Sequence, residues 1–184
     1  MSTDESAAVE VKRVCILGAE STGKSTLARG LAAAYDTVWN PEYGRPYTEI
    51  GRPADAPWTS WEFTHIARMQ CWYEDFLATL ANSVLFTDTD AFTTAVFHEV
   101  YLRTAADGFA VEAARTYDLY LVCGLDIPWE RDAIREFAAE RRTMHERFLA
   151  HAERSGRPWL LLEGDHATRL ARAREAVDRV LTSS

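Results

Sequence analysis

Apolar residues along this chain follow two alternating patterns, short unbroken runs and longer stretches in which they recur every three or four positions. Unbroken runs rich in β-branched residues and leucine are typical of strands buried on both faces of a parallel sheet. They predict strands at about residues 12–17, 37–39, 84–88, 119–123 and 159–163. The helical spacing predicts helices at about residues 24–35, 60–81, 91–105, 128–154 and 167–181.

This alternation predicts an α/β fold, a five-stranded parallel sheet with right-handed crossovers and helices on both faces. Proline and glycine in residues 51–59 predict a loop. The polar, acidic residues 1–10 predict a disordered tail, so residues 11–184 are expected to form a single domain. Ligands of such sheets bind beyond the carboxyl ends of the strands, where the candidate chemistry is therefore expected.

The first predicted strand leads into Gly-x-x-x-x-Gly-Lys-Ser at residues 18–25, and a helical pattern follows. A phosphate-binding P-loop requires this context, in which two glycines let backbone N–H groups converge on an anion. Lys24 is expected to reach the β- and γ-phosphates and Ser25 to hold Mg²⁺. The alternative is a glycine-rich turn with a chance lysine. The predicted ATP-binding residues here are Gly18, Ala19, Glu20, Ser21, Thr22, Gly23, Lys24, Ser25 and Thr26.

Composition narrows the choice of partner. The net charge of −8 argues against nucleic acid, which is a polyanion. No apolar run reaches membrane-spanning length, and the three cysteines match no zinc or disulfide pattern. We therefore expect a cytoplasmic protein with a small-molecule substrate. Lys12 and Lys24 are the only lysines, which indicates that the P-loop position needs an ammonium group.

Two acidic residues, Asp88 and Asp90, end the third predicted strand in the manner of a Walker B segment. An aspartate there can hold Mg²⁺ opposite Ser25, or it can cap the helix that follows. Two acids allow both roles. We assign Asp88 to the metal and Asp90 to a helix cap or to the acceptor hydroxyl.

A polar and aromatic segment follows the second predicted strand. Glu42 lies where small-molecule kinases place the carboxylate that accepts the proton of the attacking hydroxyl, a role that Asp90 could also fill. Arg45 could pair with this acid or touch the transferred phosphate. Aromatic residues around it could stack on a ring, and these are Trp39, Tyr43 and Tyr47. The alternative is a solvated turn with surface aromatics.

Two further segments follow the last two predicted strands. Residues 126–142 are expected to form a lid in which Arg131 and Arg135 stabilise the transferred phosphoryl group. The alternative is a solvated helix, because arginine and glutamate interleave throughout this segment. Asp165 lies where P-loop kinases pass the chain around adenine.

Taken together, these motifs resemble a known family. They are Gly-Ala-Glu-Ser-Thr-Gly-Lys-Ser-Thr-Leu at 18–27, Asn-Pro-Glu-Tyr-Gly-Arg-Pro-Tyr at 40–47, Asp-Thr-Asp-Ala-Phe-Thr-Thr at 88–94, Asp-Ile-Pro-Trp-Glu-Arg-Asp at 126–132 and Leu-Glu-Gly-Asp at 162–165. The chain resembles the ribosylnicotinamide kinase domain of bifunctional NAD-biosynthesis regulators over residues 12–180. The resemblance implies transfer of the ATP γ-phosphate to the 5′-hydroxyl of nicotinamide riboside. It also implies riboside contacts by Glu42, Tyr43, Arg45 and Asp90, with Trp129 and Asp132 closing over them.

Other functions stay open at this stage. One alternative is a kinase for another nucleoside or metabolite on the same fold. Another is a nucleotide-hydrolysing regulator that binds a protein partner, although such a protein has little reason to carry the cluster at 39–47. The oligomeric state is open, with a homo-oligomer among the alternatives.

Overall fold

A five-stranded parallel sheet forms the centre of the molecule. The computed structural model describes residues 10–127 and 140–183. The strands are β1 Lys12–Leu17, β2 Trp39–Asn40, β3 Val84–Asp88, β4 Leu119–Cys123 and β5 Trp159–Leu162. All neighbouring strands are parallel, in the order β2-β3-β1-β4-β5. The predicted five-stranded parallel sheet is confirmed.

Helices follow the strands as the spacing predicts. They are α1 Lys24–Ala34, α2 Gly44–Ile50, α3 Ser60–Ala78, α4 Ala91–Leu102, α5 Ala110–Ala113, α6 Arg141–Arg154 and α7 His166–Thr182, with a 3₁₀ turn at Asp107–Phe109. The short helix α2 was not predicted. The predicted tail 1–10 and most of the predicted lid 126–142 lie outside the described residues. Within the described part of the chain, no helix is long and apolar enough to cross a membrane.

The strand β1 explains why its sequence is an unbroken apolar run. Val14 and Ile16 face a core cluster shared with α1 and α7, whereas Cys15 and Leu17 face a cluster shared with α4 and α6. All four side chains are fully buried. Because both faces of the strand are covered, polar residues would be costly at either set of positions. The central position of β1 places the loop that follows it in the middle of the sheet edge.

A buried carboxylate ties α3 to the sheet. Glu74 is completely buried and accepts hydrogen bonds from Arg13 Nη1 at 2.7 Å, Arg115 Nη1 at 3.1 Å and the Tyr117 hydroxyl at 2.8 Å. Its neighbour Asp75 pairs with the same two arginines but is half exposed. Removal of one partner from a buried ion pair leaves uncompensated charge in the protein.

Glu74→Gln is therefore expected to lower the free energy of unfolding by about 3 kcal/mol, measured by urea denaturation. Asp75→Asn is the matched control, with an expected loss of about 0–1 kcal/mol because exposed ion pairs are screened by water. Equal losses for the two variants would contradict a structural role of the buried carboxylate.

Candidate functional site

The loop between β1 and α1 has the geometry of an anion-binding turn. Gly23 has a φ of 83°, in the left-handed region that favours glycine, and it directly precedes α1. A Cβ on Gly18 would lie 2.7 Å from the Thr22 hydroxyl. The Lys24 ammonium lies 3.0 Å from the Ala19 carbonyl, across the mouth of the loop. The loop is therefore shaped to receive a phosphate group at the amino end of α1.

A cavity of about 440 Å³ opens beside this loop. One end is polar and is formed by residues 20–26 with Glu42 and Arg45. The other end is largely apolar and is formed by Trp58, Phe63, Ile66, Phe97 and Tyr101. Further polar side chains in the wall belong to Thr48, Glu49, Gln70, Thr93 and Thr94. The phosphate loop and an aromatic pocket thus share one cavity.

Glu42 lies half-buried in the cavity wall, after β2. Burial raises the pKa of its carboxyl, Asp88 adds to the rise, and the positive charges of Lys24 and Arg45 oppose it. A carboxylate of raised pKa is well matched to accepting a proton from a hydroxyl. The structure brings Lys24, Ser25, Glu42 and Arg45 together in this one cavity, as the sequence pattern predicts for the phosphate end.

Asp88, at the end of β3, is buried beside the P-loop. Burial raises the pKa of its carboxyl, whereas the Lys24 charge and a hydrogen bond with the Ser25 hydroxyl lower it. Its Oδ1 atom is buried and has no hydrogen-bond partner among the described residues. The described residues contain no group of three or more His, Cys, Asp or Glu that could hold a metal by themselves. Since Mg²⁺ takes one or two protein oxygens and completes its shell with phosphate and water, Asp88 and Ser25 fit this ion.

Asp90 is a helix cap. Its Oδ1 accepts hydrogen bonds from the Thr93 backbone at 2.8 Å and the Thr93 hydroxyl at 3.0 Å, which fixes the start of α4. Its buried Oδ2 lies 3.8 Å from His151 Nε2. Burial lowers the pKa of His151 to about 4, so this ring is neutral near pH 7 and forms no ion pair. Asp90 is not among the described residues that line the cavity, and the capping alternative is the one that the structure shows.

The aromatic residues around Glu42 point elsewhere. Trp39 packs against the core cluster between the sheet and α1. The Tyr43 hydroxyl lies 3.1 Å from His65 Nε2, and the Tyr47 hydroxyl donates to Glu62 at 3.4 Å. None of the three aromatic side chains is among the described residues that line the cavity. Their predicted contact with a ring therefore has no support from their positions.

The aromatic pocket instead uses residues that the sequence pattern did not single out. Trp58 precedes α3, and the guanidinium of Arg52 lies 3.9 Å above its ring. Arg52 is itself held by Glu62 at 2.9 Å, so Trp58 is fixed on one face. Phe97 and Tyr101 complete the pocket from α4, where their i, i+4 spacing is equally typical of a core.

The predicted lid lies largely outside the described residues, and so do Trp129, Arg131, Asp132 and Arg135. Arg141, the first residue of α6, donates to the Glu20 carbonyl at 3.1 Å and the Ile127 carbonyl at 3.4 Å. An arginine at the end of the predicted lid thus touches the P-loop backbone.

Asp165 caps α7 by accepting a hydrogen bond from the Thr168 backbone at 2.8 Å. Hydrogen bonds from the Thr168 side chain and backbone lower the pKa of its carboxyl. Asp165 is exposed and is not among the described residues that line the cavity.

Comparison with known proteins places this geometry in a family. A family model described as an AAA domain matches residues 13–169. The chain belongs to this AAA domain family. Trifunctional NAD biosynthesis/regulator protein NadR of Escherichia coli (strain K12) is 36% identical over 132 residues, which cover 70% of this chain and 32% of that protein.

Solved structures resemble this AAA domain over almost its whole length. A crystal structure of NadR protein in complex with NR superposes with a TM-score of 0.78 and 25% identity, over 95% of this chain and 51% of that chain. NadR protein in complex with NAD and AMP-PNP gives a TM-score of 0.77 and 24% identity, with the same coverage. This chain spans about a third of the curated relative and about half of the solved NadR chains.

In this AAA domain, a buried arginine from α7 joins three loops. Arg169 donates to the Thr22 carbonyl in the P-loop at 2.7 Å, to the Gly164 carbonyl after β5 at 2.9 Å and to Asp126 Oδ1 after β4 at 2.5 Å. Asp126 also accepts from the Gly164 backbone at 2.7 Å. The loops that follow β1, β4 and β5 are therefore held by one side chain.

Asp88→Asn in this AAA domain is expected to raise the Mg²⁺ concentration needed for half-maximal activity about tenfold, because a hard cation loses a charged oxygen ligand while the shape is kept. The measurement is a Mg²⁺ titration of nucleotide turnover at fixed ATP. Asp165→Asn is the matched control and is expected to keep the wild-type midpoint. If Asp88→Asn also keeps that midpoint, Asp88 is a core residue rather than a metal ligand.

Proposed function

We propose that this chain is an ATP-dependent kinase that phosphorylates the 5′-hydroxyl of nicotinamide riboside and so produces nicotinamide mononucleotide. The observation that carries the proposal is the single cavity that joins the P-loop, Glu42 and an aromatic pocket. The likeness to NadR protein in complex with NR supports the acceptor. The likeness to NadR protein in complex with AMP-PNP supports ATP as the donor.

The phosphate end of the cavity binds the donor. Backbone N–H groups of residues 18–25 and the amino end of α1 surround the phosphates, and Lys24 approaches the β- and γ-phosphates. Ser25 and Asp88 would hold Mg²⁺, which would supply positive charge to the phosphate oxygens. Burial raises the pKa of Asp88, and the positive charge of Lys24 opposes that rise and so favours the ionised, metal-binding form.

The transfer step forms one bond and breaks another. The 5′-oxygen of the riboside bonds to the γ-phosphorus while the bond from that phosphorus to the bridging oxygen of ADP breaks, and ADP leaves with that electron pair. The proton of the hydroxyl passes to Glu42. Glu42 is preferred to Asp90 for this role because it lines the cavity, whereas Asp90 is used to cap α4.

The apolar end of the cavity binds the ring. A nicotinamide ring that carries a ribose is cationic, and cations are attracted to aromatic faces and carboxylates. Trp58, Phe97 and Tyr101 supply the faces. The ring-binding role expected of Trp39, Tyr43 and Tyr47 is thus reassigned to these residues. Arg45 and Glu49 also line the cavity.

The remaining assignments keep their predicted roles within this proposal. Trp129 and Asp132 close over the riboside, and Arg131 and Arg135 stabilise the charge on the transferred group. We place the reaction in the cytoplasm, which is consistent with three cysteines that are all free and buried, Cys15, Cys71 and Cys123.

The test is ADP formation with ATP, Mg²⁺ and a panel of acceptors. The informative pair is nicotinamide riboside and its reduced dihydro form, which has nearly the same shape and a neutral ring. Nicotinamide riboside is expected to give the highest kcat/KM, with the dihydro form, uridine and deoxyadenosine well below it. If nicotinamide riboside gives no more ADP than buffer while another nucleoside, or no acceptor, supports turnover, the proposed substrate is wrong.

A further inference from the structure

The helix α3 has two functional faces. Its inner face contributes Phe63, Ile66 and Gln70 to the cavity wall. Its outer face carries large apolar side chains that lie in solvent. We call these the outer stripe, and its members, with their exposed fractions, are Trp61 (68%), Trp72 (56%), Tyr73 (39%) and Phe76 (49%), with Leu80 (55%) just beyond the helix.

The outer stripe is ordered along the helix axis. Trp61 stacks on His65 with ring centroids 5.5 Å apart and planes within 10°. Trp72 stacks on Phe76 at 5.8 Å with planes within 5°. These i, i+4 pairs present flat apolar surfaces along a helix of 19 residues, which is about 28 Å long. Because each ring in these pairs packs against the other, the side chains lose little further conformational entropy when a partner covers the surface.

The charge of the outer stripe restricts what can cover it. Its members carry no formal charge, whereas the whole chain carries −8. The neighbouring charges are already paired, Arg68 with Glu112 at 3.1 Å and Asp75 with Arg115 at 2.9 Å. Two acidic copies of this chain repel each other except across a neutral surface such as this one. An anionic membrane is a poor match, because membrane-binding helices are rich in lysine and arginine on their polar face, whereas α3 carries one arginine, no lysine and three acidic residues.

The outer stripe supplies about half of the area that each partner contributes to a standard dimer interface. At about 150–250 Å² for each aromatic side chain, the exposed parts of the four rings amount to roughly 300–500 Å². A stable interface takes about 800 Å² from each partner, so the stripe supplies the apolar centre and the flanking polar residues supply the rim. A patch of this size is within the range of the largest apolar patch on a typical protein surface, and such patches are often functional.

We propose that a second copy of this chain covers the outer stripe, with α3 packed on α3 about a twofold axis. A twofold axis lets the same patch serve both partners, and it closes the assembly at two copies. The inner face of α3 then lies between the interface and the cavity, so that pairing fixes the helix that carries Phe63, Ile66 and Gln70. This inference concerns assembly and does not depend on the identity of the phosphoryl acceptor.

The test is sedimentation velocity of the full chain from micromolar to hundreds of micromolar concentration. The wild type is expected to sediment as a species of twice 20.8 kDa at the upper concentrations. Trp72→Glu and Phe76→Glu are expected to be monomeric at the same concentrations, with an unchanged far-ultraviolet circular dichroism spectrum. The matched control is Ala171→Glu, which adds the same charge at an exposed position on α7 and is expected to stay dimeric.

Three results would overturn the proposal. A wild type that is monomeric at every concentration shows that a second copy does not cover the stripe. A Trp72→Glu variant that is folded and still dimeric places the interface elsewhere. An Ala171→Glu variant that becomes monomeric shows that added charge, rather than the lost contact, separates the copies.

Discussion

Lys24→Ala is expected to reduce phosphoryl transfer by about 10²- to 10³-fold, because a cation is lost where negative charge develops on the β- and γ-phosphates. The Lys24 side chain already crosses the mouth of the loop, 3.0 Å from the Ala19 carbonyl, and little reorganisation is needed for it to meet a phosphate. The measurement is ADP formation at saturating ATP and riboside, with the unfolding midpoint recorded for the same protein.

The chain contains a natural control for this variant. Lys12, the only other lysine, lies at the start of β1 and 3.9 Å from Asp118. Lys12→Ala removes the same charge at the start of β1, at the other end of that strand from the P-loop, and is expected to leave turnover near the wild-type value. If Lys24→Ala retains wild-type turnover, or if the two variants lose activity equally, the P-loop lysine does not have the assigned role.

Glu42→Gln is expected to lower kcat with nicotinamide riboside by about 10²- to 10⁴-fold, the usual contribution of a general base, while the KM for ATP changes little. The amide keeps the size of the side chain but cannot accept the proton. Glu49→Gln is the matched control, because Glu49 lines the same cavity and pairs with Arg45 at 3.3 Å. For that variant the larger change is expected in the KM for the riboside.

The pH dependence distinguishes Glu42 from Asp90 as the base. Only the ionised carboxylate accepts a proton, so the wild-type rate falls as the pH is lowered through the raised pKa of Glu42. Asp90→Asn keeps this fall in rate, and Glu42→Gln loses it. Burial raises the pKa of Asp90 to about 6, which makes it the natural competitor. If the fall in rate at low pH is lost only in Asp90→Asn, then Asp90 rather than Glu42 is the general base.

Local patterns explain why the sheet and the P-loop could be predicted from the sequence. The apolar run of β1 has to be continuous because both faces of the strand are covered. Glycine is favoured at position 23 because the backbone there has a positive φ of 83°. These causes act within a few residues of the chain. The short helix α2 was not predicted because Pro46 and polar residues obscure its spacing, and it has no fully buried residue.

The aromatic pocket could not be predicted, because its causes are long-range. Tyr43 and Trp58 have similar chemistry and both lie outside the regular runs. Trp58 lines the cavity with one face because Arg52 covers its other face. The Tyr43 side chain points away from the cavity because its hydroxyl contacts His65 and its ring stacks on Tyr73. Both outcomes depend on where α3 crosses the sheet. The role of Arg169 could not be predicted for the same reason, because it is one of several arginines in α7 and only its burial distinguishes it from the others.

The three hydrogen bonds of Arg169 have a consequence for the entropy of nucleotide binding. When loops become ordered only on binding a ligand, the conformational entropy that they lose weakens the affinity. Here the loops after β1, β4 and β5 are joined to one another by a buried side chain, through hydrogen bonds within the protein itself. These loops lose their conformational freedom when the chain folds. The phosphate-binding end of the site is therefore preorganised, and nucleotide binding has a smaller entropic cost.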